Sequence, residues 1–441
     1  MTDTSETSDM ERTTLRKVYW RLVPFCFLLY ILCYVDRINV SFAALTMNKD
    51  LGLSAYVYGF AAGAFFWGYC LLEVPSNIIL QKVGARRWIA RIMISWGLLS
   101  ATTALVTGPT SFFIVRVLIG VAEAGLFPGL LLYFHRWFPQ SHRGRVVGWF
   151  LTGLPLATAI GAPVSTAFLQ MDGIFGLHGW QWMFIGEGLP TALIGVSVLF
   201  FLTERPSEAR WLAPEQIAWL EDTLRRETHA IEDVRSFGIL SAMVNPRLLI
   251  LTVIFAGIGM AGVGTVLFLP QILKSIGVSN TQAGLLTSIP YVFGTVAIVV
   301  CGHLSDKLAD RYWTLVVTCG LATIGMILAA MLHDSLWVLA AFGVATIGFY
   351  GMKSPFWPLP STFLTGAALA AGLALINSLG NFAGYLGPIL VGYAKDATGT
   401  FEAGLYALAA AAFVSTVTAL GCALWMPRGA QSAAKLVPAS R

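Results

Sequence analysis

Apolar stretches of roughly 20 residues recur along the whole chain, and each is long enough to cross a bilayer core as an α-helix. This recurrence limits the fold more than any other feature. Short polar connections separate the stretches, giving candidate spans at about 22–46, 55–80, 88–107, 111–135, 146–170 and 181–203. After a polar segment at 204–247, six more follow at about 248–272, 282–304, 313–332, 336–360, 365–392 and 401–425. A membrane β-barrel would instead show short alternating segments. Composition agrees: 56% of residues are apolar and 12% charged, against ~25% charged in soluble domains. Residues 1–17 are polar and lead into an apolar run too long for a signal-peptide core, so no cleavable leader is expected. Cys26, Cys33, Cys70, Cys301, Cys319 and Cys422 all fall in apolar runs without metal or disulfide spacing, and read as small packing residues.

The net charge of +5 does not point to nucleic acid, because its placement is that of a membrane protein. Lys and Arg concentrate on alternate connections. One set comprises the N-terminus (Arg12, Arg16, Lys17, Arg21), loop 2–3 (Lys82, Arg86, Arg87, Arg91) and loop 4–5 (Arg136, Arg143, Arg145). It continues with the central segment (Arg205, Arg210, Arg225, Arg226, Arg235, Arg247), loop 8–9 (Lys307, Arg311) and the C-terminus (Arg428, Lys435, Arg441). The opposite set holds only Lys49, Lys274 and Lys395, and Arg37, Arg116 and Lys353 lie inside spans. The positive-inside rule places both termini and the central segment in the cytoplasm, which requires an even number of spans. The expected fold is all-α, with twelve spans in two six-helix bundles at 1–203 and 248–441. The linker, 204–247, carries a short amphipathic helix in EQIAWLEDTLRRE after Pro214. The halves also resemble each other: SNIILQKVGARRW after span 2 and CGHLSDKLADRYW after span 8 align at an offset of 225 residues. Such a repeat is a common plan among secondary transporters.

Each charge inside a span costs at least ~3 kcal/mol on insertion scales and needs a reason. Asp36 and Arg37 are adjacent in YVDRINVS, so they point about 100° apart. Tyr34, Arg37 and Ser41 share one face, and Asp36 and Asn39 the next. One stripe suits an anion, the other a titratable carboxylate. Arg116 and Glu123, seven residues apart, return to nearly the same helix face about 10 Å along the axis, too far for simple partners. Glu73 and Glu187 read as braces between helices, and Lys353 as a snorkelling side chain or an anion contact. Span 10 carries Ser354, Pro355, Phe356, Trp357, Pro358 and Pro360, and is expected to be kinked or broken. Span 11 carries Asn377, Ser378 and Asn381 among Gly380, Gly384 and Gly387. Titratable groups thus gather in the N-half, and neutral polar and aromatic groups in the C-half. Basic groups attract an anion and carboxylates handle a proton, so the division suits a proton-coupled anion carrier. No nucleotide loop, metal cluster or nucleophile constellation points to an enzyme or a cofactor.

The loop Gly302-x3-Asp306-Lys307 resembles the cytoplasmic loop motif of the major facilitator superfamily. The first copy, with Lys82, Gly84 and Arg86, departs from it at Gln81, where an Asp is usual. YxDRxNxS in span 1, WGYxxxExPSN in span 2, RxxxGxxEAGxxPG in span 4, FWxxP in span 10 and INSxGN in span 11 together resemble the anion:cation symporter family over nearly the whole chain. That resemblance implies a carrier of organic anions with protons, sodium not being excluded, acting by alternating access. Bacterial members carry tartrate, phthalate, hydroxyphenylacetate or sugar acids, and the short loop at about 47–54 is similar to theirs. It implies Asp36 and Glu123 as proton-linked carboxylates. Arg37 and Arg116 would bind the substrate carboxylate with Tyr34, Tyr69, Ser354, Trp357 and Asn377. Lys82, Gly84, Arg86, Gly302, Asp306 and Lys307 would form gating loops. Leu154, near the point where some sugar-acid carriers have Gln, favours a less hydroxylated substrate. The expected setting is a bacterial-type inner membrane, with a monomeric protein and no nucleic-acid or metal partner. The rivals are a drug/proton antiporter, suggested by Gly161–Pro163, and a facilitative sugar carrier.

Overall fold

The computed structural model describes residues 2–232, 243–308, 310–364 and 366–425, and among them every regular element is helical. Arg235, Arg428, Lys435 and Arg441 lie outside the described residues, as does the side chain of Asp306. The first half comprises α1 (Thr2–Asp50), α2 (Ala55–Gly63), α3 (Phe65–Val83), α4 (Ala85–Thr102), α5 (Pro109–Glu123), α6 (Leu126–His135), α7 (Gln140–Leu169) and α8 (Gly179–Phe201). The amphipathic helix α9 (Pro214–Glu232) follows. Next come α10 (Pro246–Ser275), α11 (Asn280–Leu308), α12 (Arg311–Met331), α13 (Val338–Gly351), α14 (Lys353–Phe356), α15 (Gly366–Thr398) and α16 (Glu402–Trp425).

Among the described residues, eleven segments are long and apolar enough to cross a membrane, with α2–α3 and α5–α6 each counting as one. The twelfth crossing is the expected broken one. It runs through α13 and the short α14 to a 3-10 turn at Pro360–Thr362. Pro355, Pro358 and Pro360 remove the amide donors that a continuous helix needs there. The all-α twelve-span fold is therefore observed.

Span 4, read from the sequence as one helix over 111–135, is instead broken between α5 and α6. Gly125 adopts φ 91°, in the left-handed region that favours glycine. Pro128 lacks the amide that would reach back four residues to the Ala124 carbonyl. Ser76 of α3 supplies the missing donor: its hydroxyl lies 2.6 Å from Ala124 O and accepts the Trp88 indole N–H at 2.9 Å. A Cβ at Gly125 would collide with that hydroxyl oxygen. The signal was present in EAGLFPG, but a Gly and a Pro in an apolar run are also compatible with a continuous span.

By internal contacts the chain forms two compact units. One runs to Leu53 and from Ala64 through α9; the other holds Ser54–Gly63 and everything from α10 onward. In the first, α9 is tied to α1 by Lys17 Nζ donating to Gln216 Oε1 at 3.0 Å. It is tied to the start of α7 by Arg143 with Glu227 at 3.0 Å. In the second, Asp396 of α15 accepts the first two amides of α2, Ala55 N at 3.1 Å and Tyr56 N at 2.9 Å.

In lipid, helices gain little from apolar burial against one another, and close packing takes its place. A Cβ at Gly97 of α4 would fall 2.6 Å from Ala192 N, and one at Gly188 of α8 the same distance from Ala101 N. Backbones touch across the α4–α8 seam because both residues are glycine. The second unit repeats the device where Gly325 of α12 and Gly348 of α13 meet the opposing backbones at Ala345 and Ala322. Gly97→Leu overpacks this seam, by about 1–3 kcal/mol or more. The expected result is a clear fall in the unfolding temperature of the detergent-purified protein, while the same change at Gly148, where nothing lies within 4 Å, leaves it nearly unchanged.

Candidate functional site

Two polar clusters lie inside the first unit, and both begin on α1. The first joins Arg37 to Glu123, residues 86 apart in sequence. Arg37 Nε donates to Glu123 Oε1 at 2.6 Å, its Nη2 pairs with the same oxygen, and Cys33 Sγ donates to it at 3.0 Å. The break after α5 places Glu123 at the helix end, where its carboxylate is fully buried. Its second oxygen has no hydrogen-bond partner among the described residues. Three rings surround the guanidinium, with Tyr34, Phe65 and Tyr69 centroids 4.9, 5.0 and 4.7 Å from Arg37 Cζ. Cation–π attraction strengthens as water is withdrawn, and the Arg37 side chain is only 13% exposed. Arg116 is also buried, 3% exposed, with its Cζ 5.3 Å from the Phe65 centroid. It does not snorkel to the surface. The structure thus brings Arg37, Arg116 and Tyr69 against one aromatic ring, Phe65, with Tyr34 and Glu123 on the Arg37 guanidinium. Adjacency on one helix suggested only that Arg37 and Asp36 diverge; nothing in the spacing could pair Arg37 with a residue on span 4.

The second cluster holds carboxylates without a cation. Asp36 Oδ1 accepts from Ser100 Oγ of α4 at 3.0 Å and from Asn39 Nδ2 at 3.2 Å, as the shared face predicts. Glu187 of α8 accepts from Ser165 Oγ of α7 at 2.7 Å. Asn39 donates to Asp36, and the two acids are near enough for the charge of one to act on the other. Asp36 is 4% exposed and Glu187 7%, and each keeps one oxygen without a hydrogen-bond partner among the described residues. Neither forms an ion pair among the described residues. Glu187 reads from the sequence as a brace, and its bond to Ser165 joins α8 to α7; it also lies near Asp36. Its signal was an acid in GWQWMFIGEG with Thr191 one turn on, too sparse to name a neighbour.

On the cation-rich side of the first unit, Gly84 takes φ 99° between α3 and α4, and Lys82 is exposed. Glu204, which sequence reasoning passed over, binds the first amides of α4, Ala85 N at 2.8 Å and Arg86 N at 2.9 Å, and pairs with Arg136 at 2.6 Å. A lone acid after span 6 amid basic loops was its only mark. In the second unit, a Cβ at Gly302 would lie 3.2 Å from Ser354, whose hydroxyl donates to Ile298 O at 2.8 Å. Lys307 is exposed on α11. Trp357 packs edge-on against Phe255 at 5.2 Å, and Lys353 Nζ lies 5.4 Å over the same ring. Asn377 is half-buried on α15, and Glu73 is buried on α3.

Twelve spans in two halves, with charges buried in the first, define a polytopic membrane transport protein. The chain belongs to the Major Facilitator Superfamily, whose sequence profile matches residues 26–388 and, in a second match, 249–439. It is 44% identical to the "Putative tartrate transporter" of Agrobacterium vitis over 97% of this chain and 95% of that protein. It is 41% identical to the "Quinolone resistance transporter" of Acinetobacter baumannii, over 91% and 92% of the two chains. Among solved structures, the D-xylose-proton symporter superposes with a TM-score of 0.74 at 17% identity, covering 92% of this chain and 97% of that one.

Breaking a buried pair by removing one partner costs about 3–5 kcal/mol, because the other charge is left uncompensated. Arg37→Gln and Glu123→Gln are each expected to destabilise the substrate-free protein strongly, and the double variant by much less than their sum. Thermal unfolding of the four proteins closes the cycle, and additive losses would show the pair to be energetically idle.

Proposed function

We propose that this chain is a secondary active transporter that imports an organic carboxylate together with protons by alternating access. The observation that carries the reading is the Arg37–Glu123 pair enclosed by Tyr34, Phe65 and Tyr69. A buried guanidinium needs one anion beside it. Glu123 fills that role at rest, and an arriving carboxylate is a second candidate for it. Both cannot hold full negative charge against one cation without repulsion, so anion binding at Arg37 is linked to a proton on Glu123. Arg116, behind the same ring, adds attraction for the substrate, and Tyr34 and Tyr69 supply hydroxyls. The second unit offers Ser354, Trp357 and Asn377 as polar and aromatic contacts. Lys353, without a carboxylate partner among the described residues, is a further cation there. Asp36 is the second proton-linked group, and Glu187 is added to it as the acid that shares its cluster. The name of the Agrobacterium relative supports a tartrate-like substrate. The gating loops at Lys82, Gly84, Arg86, Gly302, Asp306 and Lys307 close the cation-rich side. That side faces the cytoplasm of a bacterial inner membrane, with both termini on it.

A second reading, drug export coupled to protons, is favoured by the name of the Acinetobacter relative. The buried Arg116 and the largely buried Arg37 of the first unit suit an anion better than a cationic drug.

The test is uptake of labelled tartrate into proteoliposomes with an inward proton gradient. Wild type is expected to accumulate it. Glu123→Gln is expected to lose gradient-driven accumulation by at least about tenfold, as for a residue acting in proton transfer, while retaining tartrate counterflow. Asp36→Asn and Glu187→Gln should fall in the same class. Full gradient-driven accumulation by Glu123→Gln would defeat the assignment. Thermal stabilisation by a fluoroquinolone with none from any carboxylate would favour export instead.

A further inference from the structure

Outside the buried clusters, the first unit holds a half-open cavity of about 570 Å³ at the cation-rich ends of its spans. Its wall is drawn from the α3–α4 turn, the end of α6, the start of α7, the segment after α8, and α9. Five cations line it, Lys82, Arg136, Arg143, Arg205 and Arg225, against two carboxylates, Glu204 and Glu221. The local pairings leave the imbalance standing. Glu204 is committed to Arg136 and to the first two amides of α4. Arg143 is committed to Glu227 and to the Phe138 carbonyl at 2.7 Å. Lys82, Arg205 and Arg225 form no ion pair among the described residues, and only Glu221 stands as an uncommitted acid in the lining. Three like charges from three separate segments are thus held around one concavity.

Transport as proposed above uses only the α3–α4 turn of this arrangement, as a gating loop, and gives Arg205 and Arg225 no role. Arg226 of α9, outside the lining, is by contrast matched by Asp222 four residues earlier. Holding like charges together without an anion is unfavourable, and a multivalent anion relieves it. Arginine forks match phosphate oxygens in pairs, and a lysine adds a point charge. The volume exceeds that of a simple halide and falls in the range of small-molecule sites. Basic pockets at the cytoplasmic ends of membrane helices also suit lipid headgroups.

We propose that this cavity binds a phosphate-bearing anion through Lys82, Arg205 and Arg225. The ligand bridges the α3–α4 turn, the segment after α8 and helix α9, so its binding stiffens the turn that carries Gly84 and Arg86. A lipid headgroup and a soluble phosphate ester share this chemistry, and the test separates them.

The full-length protein is placed in nanodiscs of phosphatidylcholine alone or doped with phosphatidylglycerol, and in phosphatidylcholine discs with added pyrophosphate. Unfolding temperature is read in each. The expected result is stabilisation by at least one probe, by mass action on the folded state. Stabilisation by phosphatidylglycerol alone identifies a headgroup site, and stabilisation by pyrophosphate a soluble one; both support the proposal. The shift should be lost in Arg205→Gln/Arg225→Gln, with pyrophosphate binding weakened about tenfold or more. It should persist in Arg210→Gln/Arg226→Gln, which removes two cations from outside the cavity lining. No shift in wild type with either probe, or equal loss in the two double variants, would overturn the site.

Discussion

A guanidinium inside a bilayer is costly unless something compensates its charge, and the first unit is organised to give Arg37 an anion. Arg37 meets Glu123 because span 4 breaks directly after that residue. The break persists because Ser76 gives the Ala124 carbonyl the hydrogen bond that Pro128 withholds. The Ser76 hydroxyl in turn accepts from Trp88 at the start of α4. Phe65, Tyr34 and Tyr69 then shield most of the pair and replace part of its lost hydration with ring faces. A chain of local requirements, from a proline to a hydroxyl to a carboxylate, thus ends in a buried charge whose compensation can be exchanged.

The companion cluster behaves differently because it lacks a cation. Asp36 and Glu187 lean on neutral donors from Ser100, Asn39 and Ser165. In the proposed reading, one cluster senses substrate and proton together, while the other responds to proton alone. Their separation begins with two adjacent residues on one helix, since Asp36 and Arg37 must face different neighbours.

The sequence was most informative where geometry is local. Span number follows from hydropathy, the interruption of span 10 from three prolines, and the Asp36–Asn39 contact from helical spacing. The site was only half legible for a physical reason. Intramembrane charges announce themselves individually, since each is costly, so Arg37, Arg116, Asp36 and Glu123 stood out at once. Their pairing depends on helix packing, which glycine seams such as Gly97 against Gly188 determine and a linear pattern does not display. Glu187 and Glu204 illustrate the limit. Each was visible as an acid, yet the role of each is fixed by a partner on another helix, Ser165 of α7 in one case and the α4 amides in the other.

The central claim is that an anion and a proton enter the Arg37 site together, and it is tested most directly by proton movement on binding. Purified protein in weakly buffered solution, with a pH-indicating dye, receives tartrate at a pH near neutrality. The account predicts uptake of about one proton per anion bound at that pair, absent in Glu123→Gln although tartrate still binds. Binding of tartrate to wild type, seen as thermal stabilisation, with no proton taken up would contradict it.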